Sequence, residues 1–145
     1  MDKEDALKLM GLMLKANALI VGELDTGAAV KNLSAKLVIV ASDASDNAQK
    51  RARGYVFGRA IPLITVPFTK FELSGHLGKN GCSMAAICDL GFAEAFLKKL
   101  DALCPGEYTD VLAAVSERLE LQKKRKAVKK SYDMNKKRSL RRNNA

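Results

Sequence analysis

Lys36-Leu37-Val38-Ile39-Val40-Ala41 is a continuous, largely β-branched apolar run closed by the polar Ser42-Asp43-Ala44-Ser45. A strand with one wet face alternates apolar and polar residues, whereas this one does not, so it reads as a central strand buried on both faces. Such a strand requires helices above and below its sheet, and the flanking sequence supplies them. Downstream, Ser45 is placed to cap a basic helix running through Lys50, Arg51 and Arg53 to about Phe57. Pro62 then opens a second apolar strand, Leu63-Ile64-Thr65-Val66, which Pro67 closes. Thr69-Lys70-Phe71-Glu72 has the spacing of a capping box and predicts a short helix ending near Gly78. Met84-Ala85-Ala86-Ile87-Cys88 is a further short apolar strand, and Gly91 to Leu103 predicts a helix with Phe92, Phe96 and Leu100 on one face.

Upstream of the central strand, Asp2 is placed to cap a first helix. Leu7, Met10 and Leu14, with Leu9 and Met13, recur at amphipathic spacing to about Lys15. Asn17 can take the left-handed backbone of a helix stop. A short apolar stretch, Leu19-Ile20-Val21, leads through Gly22 into a second helix over about Glu23 to Lys31. Strands alternating with helices in this way predict a three-layer α/β/α sandwich with a mixed sheet. Length and composition agree, since 145 residues at 48% hydrophobic content suffice for one core and not for two. Pro105-Gly106 breaks the pattern, which divides the chain into a domain over 1–104 and an extension over 105–145. Within the extension, Thr109 starts a helix with Val111, Leu112, Val115 and Leu119 on one side. The apolar pattern fades beyond Gln122, and disorder without a partner is expected past Ser131.

The net charge of +9 is concentrated at one end. Residues 118–145 hold twelve Lys or Arg against Glu120 and Asp133, leaving 13 basic and 14 acidic groups in the rest of the chain. A near-neutral globule joined to a polycation points to a polyanionic partner. RNA fits better than a membrane, because the tail lacks the apolar face that an interfacial helix buries. No apolar run reaches the roughly 18 residues of a membrane span, and the acidic start Asp2-Lys3-Glu4-Asp5 is unlike a secretory signal, so a cytoplasmic protein is expected.

No stretch carries an enzyme's signature. Gly75-His76-Leu77-Gly78-Lys79-Asn80-Gly81 resembles a phosphate loop only superficially: Asn80 follows Lys79 where Ser or Thr should hold magnesium, and the segment runs from helix to strand. His76, the single histidine, has no nucleophile or acidic partner in a recognised pattern. Asp43, Ser45 and Asn47 begin like a calcium loop, but Ala48 stands where the turning Gly belongs. Cys82, Cys88 and Cys104 lack metal-ligand spacing and read as small buried hydrophobes. Neither a cofactor nor a metal is expected, and no catalytic residue is assigned.

Four stretches resemble the L-seven-Ae/L-thirty-e ribosomal-protein family, whose members include kink-turn RNA binders and small bacterial homologues. They are Gly11-Leu12 through Val21-Gly22-Glu23; Ala35 to Ser45; Glu72-Leu73 with Gly75-His76-Leu77-Gly78-Lys79; and Ala85-Ala86-Ile87 with Asp89-Leu90-Gly91-Phe92-Ala93. The resemblance covers about Leu9 to Leu100 and implies the family's fold. It also implies an RNA clamp with two parts. The first is a Gly-Ala-Asn-Glu-like segment that reads sheared G·A pairs, and it maps onto Gly22-Glu23-Leu24-Asp25. The second is a loop before the last strand, which maps onto Asn80-Gly81-Cys82-Ser83. Leu24 departs from the pattern, since a leucine can neither donate to nor accept from a base edge. Ile20, Val21 and Ala28 stand where family members often carry cations, and cations dominate RNA affinity.

Two functions follow from these readings. In the first, the protein binds structured RNA, ribosomal RNA foremost, with Lys123, Lys124, Arg125, Lys126, Lys129 and Lys130 supplying phosphate contacts beside Gly22, Glu23, Asp25 and the Asn80 to Ser83 loop. In the second, an apolar patch of Ile20, Val21 and Leu24 docks a protein partner while the tail tethers the complex to the ribosome.

Overall fold

The computed structural model describes residues 3–78 and 82–143, with side chains to 138. The order of elements is α1 (Lys3–Lys15), β1 (Leu19–Val21), α2 (Glu23–Lys31), β2 (Leu37–Val40), α3 (Asp46–Val56), β3 (Leu63–Thr65), α4 (Lys70–Leu77), β4 (Met84–Ile87), α5 (Leu90–Leu103) and α6 (Thr109–Asn143). The four strands form one mixed sheet in the order β1-β4-β2-β3, with β2 parallel to β3 and antiparallel to β4. β2 and β4 are buried at every position, as expected of central strands covered on both sides. α1 packs on β1, α4 and α5, and α2 and α3 pack on each other and on the sheet, completing the three layers.

Local chemistry accounts for the boundaries. Ser45 Oγ accepts from Ala48 N at 3.1 Å to start α3, and Thr69 and Glu72 form the complete capping box of α4. Asp43, an exposed residue, accepts from Lys70 N at 2.8 Å and adds a second acceptor at the same helix end. Asp89 caps α5 by accepting from Phe92 N at 2.9 Å. Asn17 does adopt a left-handed φ of 58°. His76 Nε2 lies 3.5 Å from Glu4 Oε1, linking α4 to α1. The expected cap at Asp2 lies outside the described residues.

Two features differ from expectation. Leu19–Val21 is a true edge strand, β1, pairing antiparallel with β4 through Leu19↔Ile87 to Val21↔Ala85. Three residues are too few to show a period, and only the neighbouring strand makes them β. The second difference is α6, which continues helically to Asn143 instead of giving way to disorder past Ser131. No Gly or Pro interrupts Thr109–Asn143, and Lys, Arg, Leu and Ala are good helix formers. At 35 residues the helix is about 52 Å long. Its root belongs to the core: Tyr108, Val115 and Leu119 are buried, and Tyr108 Oη donates to the Thr65 carbonyl at 2.7 Å.

The cysteines divide by place. Cys82 is buried, whereas Cys88 and Cys104 are half-buried at the ends of β4 and α5. Burial pushes the Cys88 thiol up, against the opposing pull of Ser34 and Lys36.

Candidate nucleic-acid interface

The sheet register gathers the ends of β1 and β2 and the start of β4 at one end of the molecule, because Val21 faces Ala85 and Val40 faces Met84. Gly22, between β1 and α2, has φ 110° and ψ 153°, a conformation essentially restricted to glycine. That geometry turns the chain from strand into helix within one residue, while Gly22 N donates to the Met84 carbonyl at 3.0 Å. α2 begins without a side-chain cap, so its first-turn amides are left to other acceptors. A Cβ on Gly27 would lie 2.8 Å from the Tyr55 ring, and its absence lets α2 and α3 approach closely.

This packing joins the two halves of the expected clamp. Ser83 Oγ donates to Glu23 Oε1 at 3.5 Å, bridging the loop before β4 to the first turn of α2. Glu23 Oε2 also accepts from Arg51 of α3 in an ion pair. Leu24 and Asp25 point to solvent, Leu24 with 86% of its surface exposed. Cys82 instead turns into the core, where its amide donates to Ser74 Oγ at 3.2 Å. Asn80 and Gly81 lie outside the described residues.

Arg51 is the residue that sequence reasoning did not connect to this site. The basic character of α3 was legible, but its proximity to Glu23 arises only from the packing of α2 on α3. The expected apolar patch is also rearranged. Val21 is 4% exposed and Ile20 half-buried, so Leu24 alone projects fully. Beside it, Leu14, Ile20, Ala28 and Asn32 line a groove of about 380 Å³ between β1 and α2.

The second cationic surface is α6 beyond Leu119. Lys123, Lys124, Arg125, Lys126, Lys129, Lys130, Lys136, Lys137 and Arg138 are all exposed, with Asp133 the one acidic residue in that span. At 100° per residue these nine positions surround most of the helix, leaving a narrow strip that carries Leu121, Val128 and Tyr132. The carboxylate of Glu120 meets Lys123 Nζ at 4.0 Å, at the point where the arm leaves the globule. Among the described residues, no group of three or more His, Cys, Asp or Glu could hold a metal ion, and no helix is long and apolar enough to cross a membrane.

The sandwich, its mixed sheet and the Gly22 turn define an α/β fold of the L-seven-Ae type. A solved structure described as the Giardia lamblia 15.5kD RNA binding protein shares this fold at a TM-score of 0.55 and 18% identity, over 71% of this chain and 92% of that one. A protein with unknown function from Bacillus halodurans C matches at a TM-score of 0.60 and 29% identity, covering 66% of this chain and 96% of that one. The RNA-binding protein YlxQ of Enterococcus faecium is 34% identical over 93 residues, 64% of this chain and 88% of its own length. Its Bacillus subtilis (strain 168) namesake is 31% identical over 97 residues, 92% of its length. The chain belongs to the YlxQ family. No family model matches it.

Proposed function

We propose that the chain is an RNA-binding protein of ribosomal-protein type, with structured RNA, ribosomal RNA foremost, as its ligand. The observation that carries this reading is the arm: nine exposed cations against a single acidic residue between Lys123 and Arg138, on a helix rooted in the core. Such a charge density attracts phosphates through counterion release and does not depend on base sequence. The names of the two YlxQ relatives support the ligand class. In this reading the arm supplies affinity, and Gly22, Glu23, Asp25, Ser83 and Arg51 supply shape selection. The test is salt-dependent binding to ribosomal RNA fragments. If about six to eight cations contact phosphates, log K falls against log salt with a slope of roughly 4 to 7. Truncation after Glu120 then flattens the slope and weakens low-salt binding by orders of magnitude, and an unchanged affinity refutes the reading.

A second reading has one observation of its own. Leu24 is an exposed leucine on the first turn of α2, beside the groove between β1 and α2. There the chain docks a protein partner while the arm holds the ribosome. Leu24→Asp then abolishes partner capture on ribosomes and leaves the salt slope for RNA intact.

A further inference from the structure

The opposite end of the sheet carries a cationic concavity of which the functions above use only Arg125, at the root of the arm. There the start of β2, the segment between α3 and β3, and the root of the arm converge on two adjoining cavities of about 410 Å³ each. Lys36 and Arg118 line both, Arg59 lines one, and Arg125 lines the other. No Asp or Glu among the described residues lines either cavity. Among the described residues, none of these four side chains forms an ion pair, in contrast to Arg51 and Lys98, which do. Lys36 is half-buried, and its Nζ lies 3.4 Å from the Leu33 carbonyl, which holds the charge at the cavity mouth. Leu90 and Leu121 provide apolar wall. Phe57, 86% exposed, directly precedes Gly58, which lines the second cavity.

Like charges gathered in a concavity repel one another and focus a positive potential that an anion relieves. A positive groove with a solvent-facing aromatic ring at its edge is the arrangement that binds single-stranded nucleic acid, phosphates on the cations and a base on the ring. We infer that this cleft is a second RNA site, taking the backbone of a single-stranded segment on Lys36, Arg59, Arg118 and Arg125 and stacking a base on Phe57. The inference rests on the RNA-binding reading above and adds a geometry to it. Because the cleft and the Gly22 clamp lie at opposite ends of the sheet, the chain holds two RNA segments apart, with the arm continuing from the cleft.

The experiment uses the full chain and an oligouridylate of roughly 12 nucleotides, within the span of known single-strand sites, titrated over a range of salt. Lys36→Gln with Arg59→Gln lowers the salt slope by about 1.4, two contacts at the single-strand coefficient. Arg59→Gln alone, at an exposed position, lowers it by about 0.7 and guards against misfolding of the pair. Phe57→Ala weakens binding about tenfold and leaves the slope unchanged. The control, Lys8→Gln with Lys15→Gln, removes the same charge from exposed positions on α1. Equal slopes for the cleft pair and the control overturn the inference. If the unmodified chain does not bind the oligouridylate, the cleft falls, and the RNA-binding reading is decided separately by its titration with ribosomal RNA fragments. If it binds with an arm-dependent slope that the cleft substitutions leave untouched, the cleft alone falls.

Discussion

Glu23 and Arg51 form an ion pair that ties the first turn of α2 to α3, with 27% of the Glu23 side chain and 62% of the Arg51 side chain exposed. Arg51, a cation beside the clamp, is thus neutralised by its neighbour, and Ser83 donates to the same carboxylate. A pair this open to water contributes about 1 kcal/mol or less to stability. Glu23→Gln therefore leaves the melting temperature nearly unchanged and frees Arg51 for phosphate. RNA binding at low salt strengthens severalfold, and the slope steepens by up to about 0.9. Titrations of the two proteins side by side measure this, and identical slopes place Arg51 outside the RNA contact.

Leu24 sets the outcome for kink-turn selectivity. A base-edge contact is worth about 1 to 3 kcal/mol by analogy with DNA readout, and this side chain makes none. The unmodified chain then barely distinguishes a kink-turn from the same RNA with its G·A pairs replaced. Leu24→Asn with Ala28→Lys, both at exposed positions one helical turn apart, restores an amide and a cation and yields a tenfold or greater preference. Val21→Lys cannot serve, because Val21 is 4% exposed and a buried ammonium destabilises the fold. Competition between the two RNAs at near-physiological salt is the assay. A tenfold preference by the unmodified chain rules out the loss of the clamp.

Where the chain is cut decides whether the globule survives. Truncation after Glu120 retains Tyr108, Val115 and Leu119 and leaves the melting temperature within a few degrees. Truncation after Cys104 removes all three buried side chains, each worth about 1.5 to 3 kcal/mol. Against a total stability of about 5 to 15 kcal/mol this loss is severe. Circular-dichroism melts of the two fragments decide the matter, and equal melting temperatures would show that the folding unit ends at 104 and not near Glu120.

Burial pushes the Tyr108 phenol up to about 12 from its ordinary 10, with Cys104 and Glu107 adding to the effect. The folded state keeps this proton where the unfolded state has lost it, so stability is full below pH 10 and declines as pH rises toward 12. Tyr108→Phe removes this part of the decline and costs about 1 kcal/mol at neutral pH, because the Thr65 carbonyl loses its donor. Denaturant melts of both proteins across this range check the sign, and parallel curves would exclude Tyr108 as the source.

The sequence by itself determined the layers and most of the helix ends. Leu37 to Val40 announced a doubly buried strand, and Ser45, Thr69 with Glu72, and Asn17 marked helix boundaries through hydrogen bonds and backbone preferences within four residues. These signals are local, and local chemistry is what a single sequence expresses. The charge of the arm was equally legible, but not its helical course past Ser131, since the same residues suit a disordered tail and a solvated helix. Only the tertiary structure decided that Leu19–Val21 is a strand, because its β geometry comes from pairing with β4, more than 60 residues away. It alone turned Val21 and Cys82 inward, left Leu24 outside, and set Arg51 against Glu23. It also brought Lys36, Arg59, Arg118 and Arg125 to one cleft. Each of these relations joins residues far apart in the chain, and their proximity exists only once the sheet and its helices have packed.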